Sequence, residues 1–404
     1  MNFELFLSRR LTESKLNKSS YAGPIIKICS LAICISIIVI IITLSTGHGL
    51  QTTITQNLIN TESHLSISSI NLENTKQPIS INNMVEQKIL SIKEVKNVYP
   101  IIIKSGIIKY NQKIEGVLLK GVDINYKNQL INNHIIDGKY FTEKNENEIL
   151  ISLDDAKKIK LKTGDSCIVY FLSKSNNIQK RRFSIIGIFD MQNEKFNENY
   201  SFVKKETLQK INKWNQNDVT NYEIMLNTFE DTESILKKIN KIIDFNLIAK
   251  SIKERFSGIF MWIQLFDKNI LLICVIMCFI CIINMTNTIL ILIIERLKMI
   301  GVLKSFGCSN NSILKIFLYN SFIIAVKSLF IGNIIGISLC LIQDRTQMIK
   351  LNPESYFVNY LPIEINYEWI LIINILMVIM IQISLIIPFF VIKKLPASNI
   401  LKIE

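Results

Sequence analysis

The sequence predicts an α+β membrane protein, with four transmembrane helices and a large mixed α/β extracytoplasmic domain inserted between the first two. Three observations predict it. Four apolar runs, Ile28–Thr46, Asn269–Ile294, Ile316–Ile342 and Trp369–Ile392, match or exceed the roughly 20 residues that a bilayer core requires of a helix. Residues 60–245, between the first two runs, carry strand alternation and turn signals instead. A short basic insert, residues 295–315, separates the second run from the third, and the positive-inside bias puts it in the cytoplasm. A hydrophobic content of 49% with a positive mean hydropathy of +0.31 over 404 residues reads as an integral membrane protein, yet the spans cannot absorb the whole chain.

The net charge of +13 accompanies over-use of Lys, Asn and Ile along the whole chain, with no basic-aromatic groove, so nucleic acid is not an expected partner. Of eight cysteines, Cys29, Cys34, Cys274, Cys278, Cys281 and Cys340 lie in apolar runs and Cys308 in the basic insert. Cys167 alone falls in the soluble region, which excludes a disulfide within it. His48, His64 and His134 have no ligand-like spacing, and no metal site is expected. The chain has no phosphate-binding G-x-x-x-x-G-K-[ST] loop, nucleophile elbow or zincin helix, so it is read as no enzyme.

In chain order, residues 1–24 place Phe3, Phe6, Leu7 and Leu11 among Arg9, Arg10, Lys15 and Lys18. That suits either a helix on the cytoplasmic headgroups or a frayed basic terminus. No convincing cleavage site makes this a signal peptide. Residues 25–59 hold the first span and a continuation along Leu50, Ile54 and Leu58. The domain, residues 60–245, offers strands at His64–Ile70, Val98–Lys109, Gly116–Val122, Glu148–Ile151, Ser166–Phe171 and Phe183–Phe189, and helices at Asp154–Lys160 and Thr232–Ile243. Lys162-Thr163-Gly164-Asp165 reads as a turn.

Residues 246–294 comprise a second stalk and span. Ile252, Phe256, Ile259, Ile263 and Phe266 recur at 4, 3, 4, 3, the spacing of a heptad seam that could pair with Leu50, Ile54 and Leu58. A plain core helix of the domain is the other reading. Asn284 and Thr288 share a face of the second span and should point into a bundle. In the insert, Leu297, Ile300, Leu303 and Phe306 are read as one narrow apolar face flanked by Arg296, Lys298 and Lys304, closed by Gly307 and followed by Ser309 as the next N-cap. An ordinary loop lying on the headgroups is the alternative. In the third span, residues 316–342, Gly332 and Gly336 form a small-xxx-small contact. Lys327 near its middle is expected to face the bundle interior, near Asn284, Thr288 or Gln382, or else to snorkel. The loop 343–368 is acidic and belongs outside; the fourth span, residues 369–392, bends near Pro388. The tail 393–404 returns to the cytoplasm, as does the N-terminus. Cys308 is therefore expected inside and Cys167 outside.

Against that reading, Glu295-Arg296, Ile300-Gly301-Val302-Leu303-Lys304, Phe306-Gly307-Cys308-Ser309 and Ile313 form a pattern together with Asn284, Pro388, Lys393-Lys394, Pro396-Ala397 and Ile400–Glu404. It resembles the MacB/FtsX-like permeases of type VII ABC transporters, particularly the lipoprotein-releasing (LolC/LolE-type) branch. Gly116–Asp123, Ile149–Ser152, Ala156, Leu161, Gly164-Asp165 and Ile186–Phe189 are similar to the strands of the MacB-like periplasmic domain. One residue more than the family's ending precedes Leu401.

The resemblance implies a non-catalytic permease subunit of the bacterial inner membrane that works by mechanotransmission. A LolD-like cytoplasmic ABC ATPase dimer would bind ATP and Mg, so this chain binds no cofactor, and would seize Glu295–Gly307. A second permease subunit, identical or paralogous, acylated lipoprotein cargo, a LolA-like periplasmic carrier and membrane lipids complete the implied partners. Two relatives give rival readings: FtsX-type regulators of cell-wall hydrolases, with much smaller outer domains, and MacB-like export components, which usually fuse the ATPase to the permease.

Overall fold

The computed structural model describes residues 22–70, 78–111, 113–126, 128–142, 145–172, 178–191, 200–229, 231–352, 356, 358–386, 388 and 390. The headgroup segment expected before residue 22 and the tail 393–404 lie outside the described residues. In chain order the elements are α1 (Ala22–Glu62), β1 (Leu65–Ser69), α2 (Asn83–Leu90), β2 (Val95–Tyr110), β3 (Lys113–Val122), α3 (Asn128–Asn133), β4 (Ile135–Gly138), β5 (Glu148–Ser152), α4 (Leu153–Ile159), β6 (Ser166–Leu172) and β7 (Ile178–Phe189). There follow β8 (Tyr200–Lys204), α5 (Lys205–Asn212), β9 (Asn221–Leu226), α6 (Thr232–Asn240), β10 (Leu247–Ser251), α7 (Ile252–Arg255), α8 (Ser257–Glu295), α9 (Leu297–Ser305), α10 (Asn310–Thr346) and α11 (Tyr367–Ser384). They form two compact units, one of residues 52–262 with 350–360, the other of the remaining described residues.

In the first unit the strands run β10-β1-β9-β2-β3-β8-β5-β7-β4, with β6 against β2 and β7. Pairing is antiparallel except for β3 with β8 and β5 with β7. Successive side chains of a strand face opposite ways, and Ile101 and Ile102 in β2 are both fully buried. The sheet is thus covered on both faces. Ile102 joins a core with Leu119, Val169 and Phe183; Ile101 joins another with Tyr126, Phe189 and Phe202. Buried strands of this kind lose the polar half of their alternation, which is why β8 (YSFVK) and β9 (NYEIML) escape the sequence reading; the short β4 and β10 escape it as well.

Each strand expected from sequence is present, most of them longer at one end. The expected helix at Thr232–Ile243 closes earlier, at Asn240, and α4 runs one residue ahead of Asp154–Lys160. Ser152 caps α4 by accepting from the Asp155 N–H, and Lys160 ends it in the left-handed region. The turn that follows is built as its residues suggest. Gly164 has φ +92°, and the Asp165 carboxylate accepts from the Lys162 N–H at 2.9 Å. Cys167 is a free thiol at 1% exposure, and burial pushes it up to about 11. It cannot report sidedness by labelling.

Four helices, lying mostly in the second unit, are long and apolar enough to cross a membrane: residues 23–62, 257–295, 310–346 and 367–384. Their shared core holds Cys29, Ile33, Ile37, Met285, Ile289, Phe317, Leu329 and Met377. α1 and α10 meet at the small residues of the third span. A Cβ on Gly332 would lie 2.9 Å from the Cys34 carbonyl oxygen, and one on Gly336 would touch Ile41. Those two glycines let the backbones approach, as the small-xxx-small spacing suggests. α11 ends at Ser384 with Leu385 as its C-cap, Ile386, Pro388 and Phe390 are helical beyond it, and Ile392, the end read from sequence, lies outside the described residues. Pro388 has no N–H for the Ser384 carbonyl, and the Thr286 hydroxyl donates to that oxygen at 3.5 Å.

Candidate functional site

The basic insert is a helix, α9, between α8 and α10. Its end is a Schellman closure. Cys308 N–H donates to the Leu303 carbonyl and Gly307 N–H to that of Lys304, both at 3.0 Å. Gly307 takes φ +82°, where a Cβ would be strained, and the Ser309 hydroxyl accepts from the Ser312 N–H to start α10. The expected single apolar face does not exist. A step of three residues falls 60° short of a turn, so from Leu297 to Phe306 the stripe winds halfway round the helix. Ile300 is fully buried in the bundle core with Ile293 and Ile313, whereas Phe306 is 85% exposed. Leu297, Leu303, Lys304, Glu295 and Arg296 are half-buried. The surface left for a partner is Lys298, Val302, Ser305 and Phe306, and of these only Phe306 was singled out as an apolar anchor from sequence.

Inside the bundle, Thr288 is buried and its hydroxyl donates to the Asn284 carbonyl at 2.8 Å. Asn284 is half-buried. Gln382 lies across from Ser321, whose hydroxyl donates to its Oε1 at 3.4 Å. Lys327 does not join them. It is exposed, as are Val326, Phe330 and Ile331 around it, so the expectation that it faces the interior is corrected. Ser328, its neighbour, takes the inward position instead and hydrogen-bonds Ser30 at 2.7 Å. Sequence reading also missed the reciprocal amide pair of Asn333 and Asn374, at 2.7 and 3.0 Å, although both stand as isolated amides in apolar runs.

The stalk stripes are placed as follows. Leu50, Ile54 and Leu58 are buried along α1; Ile252 and Ile263 are buried, and Phe256, Ile259 and Phe266 half-buried. The second stripe is not carried by one helix, however. Phe256, at φ −114° and ψ 40°, separates α7 from α8. Ser251 and Glu254 form a capping box that starts α7, and the helix is interrupted one turn later at Phe256, so a regular 4-3-4-3 spacing conceals a break.

In the α/β unit the end of α1 is fixed by charges the sequence did not flag. Lys120 in β3 and Glu223 in β9 are each 1% exposed, with 2.6 Å between Nζ and Oε1. Lys120 also donates to the Thr61 carbonyl at 3.1 Å, where the last carbonyls of a helix lack partners. Glu223 accepts from the hydroxyls of Ser63 at 3.0 Å and Tyr126 at 2.8 Å. Burial, then the adjacent Glu223, holds the Tyr126 hydroxyl far above its usual range. Arg255 of α7 reaches back to Glu62 at 2.8 Å. The end of α1 and the short α7 thus meet at polar groups beside the sheet. The signal available was Lys120 itself, on the same side of β3 as Val122.

Residues 28–242 match the family described as MacB-like periplasmic core domain, and residues 271–397 match FtsX-like permease C-terminal. The chain belongs to the FtsX/MacB family of ABC transporter permeases. It is 21% identical over 91% of both chains to the lipoprotein-releasing system transmembrane protein LolE of Haemophilus influenzae. It is 25% identical, over 94% of both chains, to the corresponding LolC of Buchnera aphidicola subsp. Schizaphis graminum. The periplasmic region of MacB from Actinobacillus actinomycetemcomitans aligns with 51% of this permease and 97% of that chain, at 13% identity and a TM-score of 0.35. The permease is a multi-pass membrane protein with a periplasmic domain between its first two spans, and subunits of this family are typically non-catalytic. Among the described residues no group of His, Cys, Asp and Glu could hold a metal ion.

Proposed function

We propose that this permease is the membrane subunit of a transporter that extracts lipoproteins from the inner membrane and passes them to a soluble carrier. The observation that carries the reading is its likeness to LolE and LolC along 91% and 94% of both chains, periplasmic domain and spans together. In this reading a LolD-like ATPase dimer, binding ATP and Mg itself, engages the exposed side of α9 at Lys298, Val302 and Phe306. ATP-driven closure then moves the stripes along Leu50, Ile54 and Leu58 and along Ile259, Ile263 and Phe266. A second permease subunit and a LolA-like carrier complete the assembly, and both termini lie in the cytoplasm.

Depletion of the protein tests this. Acylated lipoproteins should then accumulate in the inner membrane fraction. Normal lipoprotein fractionation with chains of undivided cells would favour regulation of a cell-wall hydrolase and overturn lipoprotein release. Normal fractionation with loss of export of a small molecule would favour a MacB-like role.

A further inference from the structure

The depth of Lys327 can be read from the contacts of its helix. α1 and α10 run parallel, and their backbone approaches keep one register, Cys34 with Gly332 and Ile38 with Gly336, which the Ser30–Ser328 hydrogen bond shares while the Ile37 and Ile41 side chains reach the same glycines from the next turn. Each pair differs by 298 (328 − 30, 332 − 34, 336 − 38). Lys327 is therefore level with Cys29, two residues or about 3 Å from the level of Lys27. At the other end, Asp344 of α10 falls level with Thr46 by the same offset. α8 agrees, since Gly47 abuts Ile270 and Lys268 lies just beyond. From the level of Lys27 to that of Asp344 is 19 residues of helix, about 28 Å, against a hydrocarbon core of about 30 Å.

Charged residues thus bracket a single bilayer thickness, and Lys327 lies at its cytoplasmic edge rather than at mid-span. Sliding the core toward the hairpin, to cover exposed Ile291 and Ile294, would bring two cations into hydrocarbon at high cost. Lys27 and Lys327 are both exposed on neighbouring helices, and Val326, Phe330 and Ile331 beside Lys327 are exposed apolar side chains suited to acyl chains. No Asp or Glu occupies any of the four apolar runs. The chemistry that satisfies two ammonium groups there, next to an acyl-compatible surface, is a phosphodiester.

We propose that Lys27 and Lys327 form a binding site for the headgroup phosphate of an anionic phospholipid in the cytoplasmic leaflet. The site owes nothing to lipoprotein release, so it stands or falls apart from that reading. In phosphatidylcholine nanodiscs, spin labels on Lys327→Cys and Lys27→Cys should report the same headgroup depth; a label at the bilayer centre on Lys327→Cys overturns the proposal. With photoactivatable phosphatidylglycerol as a minor component, cross-linking near Phe330 should fall about fivefold in Lys27→Met or Lys327→Met and about 30-fold in the double variant. Lys327→Arg should retain it, which separates charge from folding. Inorganic phosphate should not compete. Competition by inorganic phosphate, unchanged lipid cross-linking in the double variant, or cross-linking of Lys327→Cys to a second permease subunit in place of lipid would each sink the site.

Discussion

In the periplasmic domain a lysine and a glutamate are held at 1% exposure, 2.6 Å apart, with a backbone carbonyl and two hydroxyls completing their shell. The helical bundle does the reverse. Its interior polar groups are neutral hydroxyls and amides, several of them bonded to their own backbone one turn away, while the cation of the third span faces outward. A sheet brings residues far apart in sequence, here 120 and 223, side by side with a partner for each charge. Packed apolar helices offer little beyond their own carbonyls, and a charge without a counter-charge is placed at a boundary. Even so, the bundle leaves the Asn320 Oδ1 and Gln382 Nε2 atoms buried without a hydrogen-bond partner among the described residues.

The sharpest way to break this contrast is to orphan one charge of the domain. Lys120→Met leaves Glu223 buried and unpaired and should cost about 3–5 kcal/mol, whereas adding Glu223→Leu should restore most of it. Chemical denaturation of the domain signal in detergent-solubilised protein checks both. If the double variant is as unstable as the single one, the pair is not the unit that matters.

Next in size, Ile300→Ala removes a fully buried side chain from the bundle side of α9 and should cost about 2–4 kcal/mol, read as a lowered midpoint of unfolding in detergent. A shift no larger than that of a surface substitution would show that α9 does not pack on the bundle.

Asp155 sharpens the domain side of the comparison, because it is a buried carboxyl whose two oxygens have no hydrogen-bond partner among the described residues. Burial pushes it up to about 7, with Ser152 and Lys158 only partly opposing. The folded state therefore keeps a proton that the unfolded chain releases near pH 4, so this contribution to stability is full below about pH 4 and lost as pH rises through about 7. Asp155→Asn should flatten that dependence and stabilise the protein by roughly 2 kcal/mol at pH 8, with little change at pH 4. A pH profile unchanged by the substitution would refute the assignment.

The smallest structural effect belongs to Phe306→Ala, within about 0.5 kcal/mol, because the side chain is already exposed. Co-purification of the ATPase should nevertheless weaken. Loss of folding together with loss of capture would place Phe306 in the core instead, and undiminished capture would remove it from the docking surface.

Much of the layout was legible because its causes are local. Charge-free runs long enough for a bilayer, the glycine and serine that close and open the helices of the hairpin, and alternation in β2, β3 and β7 act over a few residues, and the structure carries them all. The legible part ends where spacing must be converted into direction. Ile300 and Phe306 look equivalent in the sequence, yet one is buried and the other exposed, because the face α9 turns inward is set by α8 and α10.

By itself, then, the sequence determined how many helices cross the membrane, where a soluble domain interrupts them and which short helix joins the second to the third. Length, hydropathy and caps specify these without any distant contact. Only the tertiary structure decided that Lys120 meets Glu223 and that Lys327 lies outside the bundle at the level of Cys29. Each depends on residues brought together from distant parts of the chain or on the rotation of one helix against another. Periodicity along the chain carries neither quantity.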